Sequence, residues 1–137
     1  MSTDTAKQLL QQAFGARRQN RPEDALRHSR DAVELCRTVG EPRLLITALK
    51  ANGQMERDLD RAEAALRLYQ EAADLCRTEA DILLLAHTVR HVGDILYEMG
   101  RVELAEPCLR EALALYRSHE RPAGLDLANA ILPLAIL

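Results

Sequence analysis

The sequence has little of the material that strands, tight turns and disulfide frameworks require. Its 137 residues include six glycines, five prolines, three cysteines, three tyrosines, one phenylalanine and no tryptophan. Leucine, alanine, glutamate and arginine are abundant instead, and all four favour helices. The composition therefore predicts an all-α protein.

Several classes of protein are disfavoured by what the chain lacks. No apolar run reaches the roughly 18 residues that a membrane-spanning helix needs, and residues 1–12 do not have the layout of a signal peptide, so we expect a cytoplasmic protein. Eighteen basic and 21 acidic residues give a formal charge of -3, which argues against nucleic-acid binding through net charge. The cysteines Cys36, Cys76 and Cys108 lack the paired spacing of a zinc site or a disulfide framework, and we interpret them as small buried residues.

The strongest pattern in the chain is a repeat of 40 residues. Six columns agree without a gap across three successive repeats. They contain Arg21, Arg61 and Arg101; Glu23, Glu63 and Glu103; Ala25, Ala65 and Ala105; Ala32, Ala72 and Ala112; Leu35, Leu75 and Leu115; and Arg37, Arg77 and Arg117. The periodicity predicts repeats at about residues 1–40, 41–80 and 81–120 and a partial fourth at 121–137, all within one domain that spans residues 1–137.

Each repeat is predicted to contain two helices, because apolar residues recur at three- and four-residue spacing on both sides of a break near residues 20, 60 and 100. The first helices are expected at about residues 3–18, 42–58, 81–98 and 122–137, and the second helices at 21–38, 61–78 and 101–118. We interpret Asn20, Asp60 and Gly100 as N-caps of the second helices. Gly40 is expected to end a helix in the left-handed conformation, and Pro42 to occupy the first turn of the next helix.

A glycine followed twelve residues later by an alanine, and seven residues after that by another alanine, resembles the tetratricopeptide repeat. The residues that carry this pattern are Gly53, Ala65 and Ala72, and again Gly93, Ala105 and Ala112. The large aromatic positions of the family are filled by Leu49 or Val89 and by Tyr69 or Leu109, and the closing proline is absent. Because the repeat has 40 residues and not about 34, it resembles the long-repeat branch, which includes G-protein signalling modulators of the Leu-Gly-Asn type, kinesin light chains and the sensor domain of the maltose-regulon activator. The resemblance implies an α-α superhelix, or solenoid, of about three and a half hairpins.

The resemblance also implies a concave groove, lined by the first helices, that binds a peptide or protein segment. The family's groove-facing positions fall on Lys7, Leu10, Phe14, Arg17 and Arg18, then on Thr47, Lys50, Gln54, Arg57 and Asp58, and then on His87, Arg90, Asp94, Tyr97 and Glu98. Of these we predict that the partner is contacted by Lys50, Gln54, Arg57, His87, Arg90, Asp94 and Tyr97. Six of the fifteen groove-facing residues are cationic and three are anionic, which favours an acidic partner segment. An ordinary solvated helix face is the alternative interpretation.

Two other kinds of site are disfavoured by the sequence. The two-carboxylate clamp of some tetratricopeptide proteins is not matched, since its Lys, Asn, Asn, Lys and Arg would fall on Leu10, Phe14, Ala51, His87 and His91. No nucleophile motif or phosphate-binding glycine loop is present, so we predict that the chain is not an enzyme and needs no cofactor.

His87 and His91 are predicted to lie on one helical face, and Asp94 and Glu98 continue that face. These side chains could bind a divalent ion, but we favour the interpretation that they form a simple polar surface. A different functional class is self-association or packing within a larger signalling or transcription-control protein. The apolar partial repeat at 121–137, which lacks the polar outer face of a capping helix, is the reason for retaining this alternative and predicts a homo-oligomer.

Overall fold

The computed structural model describes residues 3–119, and over that range the chain forms six helices and no strand. The helices are α1 Thr3–Arg18, α2 Pro22–Val39, α3 Pro42–Asp58, α4 Ala62–Glu79, α5 Ile82–Glu98 and α6 Val102–Ser118. These bounds agree with the predicted helices to within one residue, and the predicted all-α class of helical hairpins is confirmed. The predicted helix at 122–137 lies outside the described residues. None of the described helices is long and apolar enough to cross a membrane.

The chain divides into two compact units, Met1–Ala72 and Ala73–Leu137, which we call unit 1 and unit 2. Unit 1 contains α1, α2, α3 and the first part of α4, whereas unit 2 contains the end of α4, α5 and α6. The single domain predicted for residues 1–137 stays a prediction.

Small residues allow the helices of each unit to pack closely. The core of unit 1 includes Ala13, Ala16, Ala25, Leu26 and Met55, and that of unit 2 includes Ala73, Ala86, Val89, Ala112 and Tyr116. The alanine columns of the second helices, at residues 25, 65, 105, 32, 72 and 112, are all at most 1% exposed. A larger side chain in these columns would force the helices apart, which explains why alanine recurs there.

The repeated glycine of the first helix marks its closest approach to the second helix. A Cβ atom at Gly53 would lie 2.8 Å from Cε2 of Tyr69, and a Cβ atom at Gly93 would lie 2.7 Å from Cδ2 of Leu109. These contacts lie in the α3–α4 hairpin of unit 1 and the α5–α6 hairpin of unit 2. The pairing of glycine with a large second-helix residue therefore holds in both units, as the repeat pattern implies.

The turns between helices differ from the prediction at three positions. Asn20, Asp60 and Gly100 have φ angles of 59°, 60° and 80°, so they lie in the left-handed region and are not N-caps. The N-caps of α2 and α6 are the following arginines, Arg21 and Arg101, and neither makes a side-chain capping hydrogen bond. Asparagine, aspartate and glycine are the residues that tolerate positive φ best. At these three positions they form the left-handed turn after the first helix and do not cap the second helix.

The joints between repeats follow the prediction more closely. Gly40 ends α2 with φ 80°, and Pro42 stands in the first turn of α3. At the next joint the left-handed position is filled by Ala80, with φ 55°, and Asp81 caps α5 by accepting a hydrogen bond from the Leu84 amide at 3.0 Å. An alanine in this conformation carries strain that glycine would avoid.

A charged residue lies in the core of unit 1. The side chain of Glu56 is 6% exposed and accepts hydrogen bonds from Nη2 of Arg30 at 2.9 Å and Nη1 of Arg61 at 3.4 Å. In the other repeats the same position holds Ala16 and Leu96. Two guanidinium groups thus compensate a carboxylate at a position where its equivalents are apolar.

Candidate functional site

In unit 1 a hydrogen-bonded cluster joins groove-facing positions of α1 and α3, among them the predicted contact residue Gln54. Nε of Arg17 donates to Oδ2 of Asp58 at 2.6 Å, and Nε2 of Gln54 donates to Oδ1 of the same carboxylate at 2.9 Å. Burial alone would raise the pKa of Asp58, but these hydrogen bonds outweigh it and lower that pKa. The structure therefore links Gln54 to Arg17 of α1 through the Asp58 carboxylate.

Next to this cluster is an open cavity of about 400 Å³. It is lined by Arg17, Arg18, Asn20, Pro22 and Asp58. Among residues 3–119, Arg18 has no hydrogen-bond or ion-pair partner, and its side chain is exposed. The Arg18 guanidinium at this cavity is thus accessible to an anionic group of another molecule.

The remaining predicted residues of unit 1 differ in exposure. Phe14, the single phenylalanine of the chain, is 36% exposed. Leu10 is only 6% exposed and belongs to the core. Lys50 and Arg57 are half-buried, and both make polar or charged interactions within the protein. We call the predicted positions of α1 and α3 the first-helix face of unit 1. Its charged members are Lys7, Arg17, Arg18, Lys50, Arg57 and Asp58, so cations outnumber anions.

In unit 2 the predicted residues of α5 form an internal polar network with α6. Nη1 of Arg90 donates to Oδ2 of Asp94 at 3.2 Å, and Nε of Arg90 donates to the Tyr116 hydroxyl at 3.3 Å. That hydroxyl is also 3.0 Å from Nδ1 of His87, whose ring meets the tyrosine ring edge-on at a centroid distance of 5.5 Å. Since the side chains of Arg90 and Asp94 are only 14% and 18% exposed, the network holds them in place and limits what they present to solvent.

Tyr116 is the residue of this network that the sequence analysis missed. It is fully buried on α6 and stands in the column of Cys36 and Cys76. A tyrosine in a column otherwise filled by a small thiol is the signal that could have identified it, because a buried phenol hydroxyl requires a hydrogen-bond partner. Tyr97, the last predicted contact residue, is half-buried near the end of α5.

The histidine pair of α5 does not gather further ligands within the described residues. His87 Nδ1 is engaged with Tyr116, and over residues 3–119 there is no group of three or more histidine, cysteine, aspartate and glutamate side chains that could hold a metal ion. The cysteines are thiols, with Cys36 and Cys76 buried and Cys108 half-buried. Burial raises the pKa of the Cys36 and Cys108 thiols.

A family model described as "Tetratricopeptide repeat" matches residues 44–118, which is more than half of the chain. No curated protein matches the chain at a significant level.

Solved structures with a similar fold include three tetratricopeptide-like proteins. BtubC (BKLC) from P. vanneervenii has a TM-score of 0.87 and 19% identity, and the match covers 96% of this chain and 54% of that one. The N-terminal domain of stress-induced protein-1 (STI-1) from C. elegans has a TM-score of 0.74 and 19% identity, with 96% of each chain covered. PcrH, from Pseudomonas aeruginosa, in complex with the chaperone binding region of PopB has a TM-score of 0.74 and 22% identity, with 100% of this chain and 98% of that chain covered. This chain thus spans about half the length of BtubC. At such identities the likeness shows the fold alone.

Proposed function

The chain belongs to the tetratricopeptide repeat family, and we propose on that ground that it is a non-catalytic module that binds a segment of a partner protein. The PcrH structure contains a segment of PopB, so a fold of this kind can hold a protein segment. A scaffold of this type supplies surface and charge for binding without chemical reaction.

We further propose that the partner segment is acidic and contacts the first-helix face of unit 1. The observation that carries this proposal is the charge of that face, where Lys7, Arg17, Arg18, Lys50 and Arg57 are opposed by Asp58 alone. Asp58 pairs with Arg17, and Lys50 and Arg57 also have interactions within the protein, but the face as a whole keeps a positive charge that attracts carboxylates or phosphates of a ligand. Gln54 offers hydrogen bonds and the exposed Phe14 offers an apolar contact, a combination that recurs in protein interfaces.

The α5 residues of unit 2 are proposed as a second, more neutral contact surface. His87 and Tyr97 provide hydrogen-bonding and aromatic groups, whereas Arg90 is partly neutralised by Asp94. Because Arg90 is held by Asp94 and Tyr116, its replacement would disturb the fold as well as binding. Charge reversal at Arg90 is therefore a poor test of binding, and the test is best made on unit 1.

The experiment compares three proteins as bait for partners in a lysate of the host cell. They are the wild type, the variant Arg18→Glu with Lys50→Glu, and the control variant Arg27→Glu with Arg67→Glu. The control makes the same charge change on the exposed surfaces of α2 and α4 of unit 1, away from the first-helix face. Circular dichroism checks that all three have equal helicity.

We expect the wild type and the control to capture a common partner that the Arg18→Glu, Lys50→Glu variant loses. The partner segment, mapped by truncation and made as a synthetic peptide, should be acidic and should bind about tenfold or more weakly to the variant. Its affinity should also fall as the salt concentration rises. Equal capture by all three proteins, or a mapped segment without acidic residues, would contradict the proposal.

A further inference from the structure

A bidentate ion pair joins successive second helices in unit 1. Nη1 of Arg37 on α2 lies 2.6 Å from Oε2 of Glu71 on α4, and Nη2 of Arg37 lies 2.8 Å from Oε1 of the same carboxylate. The two side chains are 48% and 39% exposed. The bidentate geometry adds orientational specificity to the contact between the two helices.

Unit 2 contains the same pair one repeat later. Arg77 at the end of α4 donates to both oxygens of Glu111 on α6, at 2.7 Å and 3.0 Å, and the two residues are again 34 positions apart. The same contact therefore occurs in both units: the arginine of one second helix binds the carboxylate of the following second helix.

The third arginine of the column, Arg117 on α6, has no acceptor within the described residues. The residue after each arginine donates a hydrogen bond of 2.8 Å to the carbonyl three positions earlier, from Thr38 to Leu35, from Thr78 to Leu75 and from Ser118 to Leu115. The hydrogen bond next to the arginine is thus the same in all three helices, although α6 ends at Ser118 with His119 extended, whereas α2 ends at Val39 with Gly40 in the left-handed region. Arg117 is exposed, and among residues 3–119 nothing pairs with it.

The complementary acceptor lies on α2. Asp31 stands in the column of Glu71 and Glu111 and lines a cavity of about 320 Å³ together with Glu34, Leu35 and Thr38. The equivalent surface of α4 includes Glu71, which binds the incoming Arg37. In the part of the chain that the structure describes, neither Asp31 nor Glu34 has a partner, so the cavity on α2 presents two carboxylates.

We propose that two copies of this chain associate head to tail, with Arg117 of one copy inserted in the acidic cavity of the next and paired with its Asp31. The occupant is a second copy because the chain itself carries both complementary groups, in the register that it already uses twice. The contact is heterologous, so each copy contributes a different surface. The proposal is independent of peptide binding by the first-helix face, and it can be tested without a ligand.

Sedimentation velocity of the 137-residue chain over a concentration series provides the test. We expect the wild type to self-associate as its concentration rises. Arg117→Glu and Asp31→Arg should each weaken the association about tenfold or more, because each places two like charges in the contact. Both residues are exposed and unpaired in the described part of the chain, so neither change should alter the helicity.

The decisive experiment mixes the two variants. In one contact, the new carboxylate at position 117 of the Arg117→Glu protein faces the new guanidinium at position 31 of the Asp31→Arg protein. In the other contact, the native Arg117 of the Asp31→Arg protein faces the native Asp31 of the Arg117→Glu protein. The mixture should therefore regain the association of the wild type. Arg67→Glu, a charge reversal on the exposed surface of α4, is the control and should behave like the wild type. The proposal is overturned if the wild type is monomeric at every concentration, if both variants associate as well as the wild type, or if the mixture fails to recover.

Discussion

Gly53 and Tyr69 are in such close contact that residue 53 has no room for a side chain. A methyl group there would lie 2.8 Å from Cε2 and 2.9 Å from Cδ2 of the ring, and the ring cannot easily move because Tyr69 is only 2% exposed. We therefore expect Gly53→Ala to lower the free energy of unfolding by about 1–2 kcal/mol, since overpacking outweighs the gain in helix propensity. Denaturation by urea, followed by circular dichroism, measures the effect.

Gly15→Ala is the matched control for this prediction. The nearest atom to a Cβ at Gly15 is the end of the flexible Arg18 side chain at 3.9 Å, so nothing opposes the methyl group. The substitution should raise the free energy of unfolding by about 0.5–1 kcal/mol, the usual advantage of alanine within a helix. A stabilising effect at both glycines would show that the contact with Tyr69 is unimportant.

The buried carboxylate of Glu56 depends on its two arginines. The Glu56 side chain is 6% exposed in the wild type, and replacement of both Arg30 and Arg61 by alanine removes both of its guanidinium partners. We expect a loss of about 2 kcal/mol or more in the free energy of unfolding, although the half-exposed arginines keep the cost below that of a fully buried pair. Adding Glu56→Leu, which copies the apolar residue Leu96 of the next repeat, should recover part of the loss. If the double alanine variant is as stable as the wild type, the ion pairs contribute nothing.

The stability of unit 1 should fall in acid through Asp58. Its folded pKa is lowered, so the carboxylate stabilises the fold at a pH above its unfolded value of about 4, and this contribution is lost as the pH falls through the folded pKa. Asp58→Asn should therefore be less stable than the wild type at neutral pH, and the difference should shrink below about pH 4. Urea denaturation at several pH values measures it. Arg17→Gln should give the same pH dependence, because it removes the principal donor to Asp58. A pH-independent difference would contradict the assignment.

The cysteines are expected to remain thiols and to react slowly. Cys36 and Cys76 are both buried as free thiols. Burial also raises the pKa of Cys36 and Cys108, which lowers their thiolate content at neutral pH. Mass spectrometry without reductant should show no intramolecular bridge, and a thiol reagent should modify the folded protein more slowly than the unfolded one. An intramolecular bridge, or equal rates of modification in the folded and unfolded protein, would contradict the assignment of buried thiols.

The fold was more predictable from sequence than the site. Gly53 and Gly93 identified the helix contacts because close packing leaves a column of small residues, and such a column is visible in one sequence. The N-caps were wrong because Asn20 and Asp60 suit both an N-cap and a left-handed turn, and only the backbone distinguishes the two roles. Contact of Arg90 with a partner stays a prediction, and its bond to the Tyr116 hydroxyl depends on a pairing across helices that spacing along the chain does not reveal.

The burial of one tyrosine in each compact unit gives the protein two natural optical probes. Tyr69 is 2% exposed in unit 1 and Tyr116 is fully buried in unit 2, and the chain has no tryptophan to mask their emission. With Tyr97 and Tyr116 replaced by phenylalanine, the remaining fluorescence reports on unit 1; with Tyr69 and Tyr97 replaced, it reports on unit 2. Coincident transitions in the two proteins would mean that the two units unfold cooperatively. Separate transitions would mean that unit 1 and unit 2 have different stabilities.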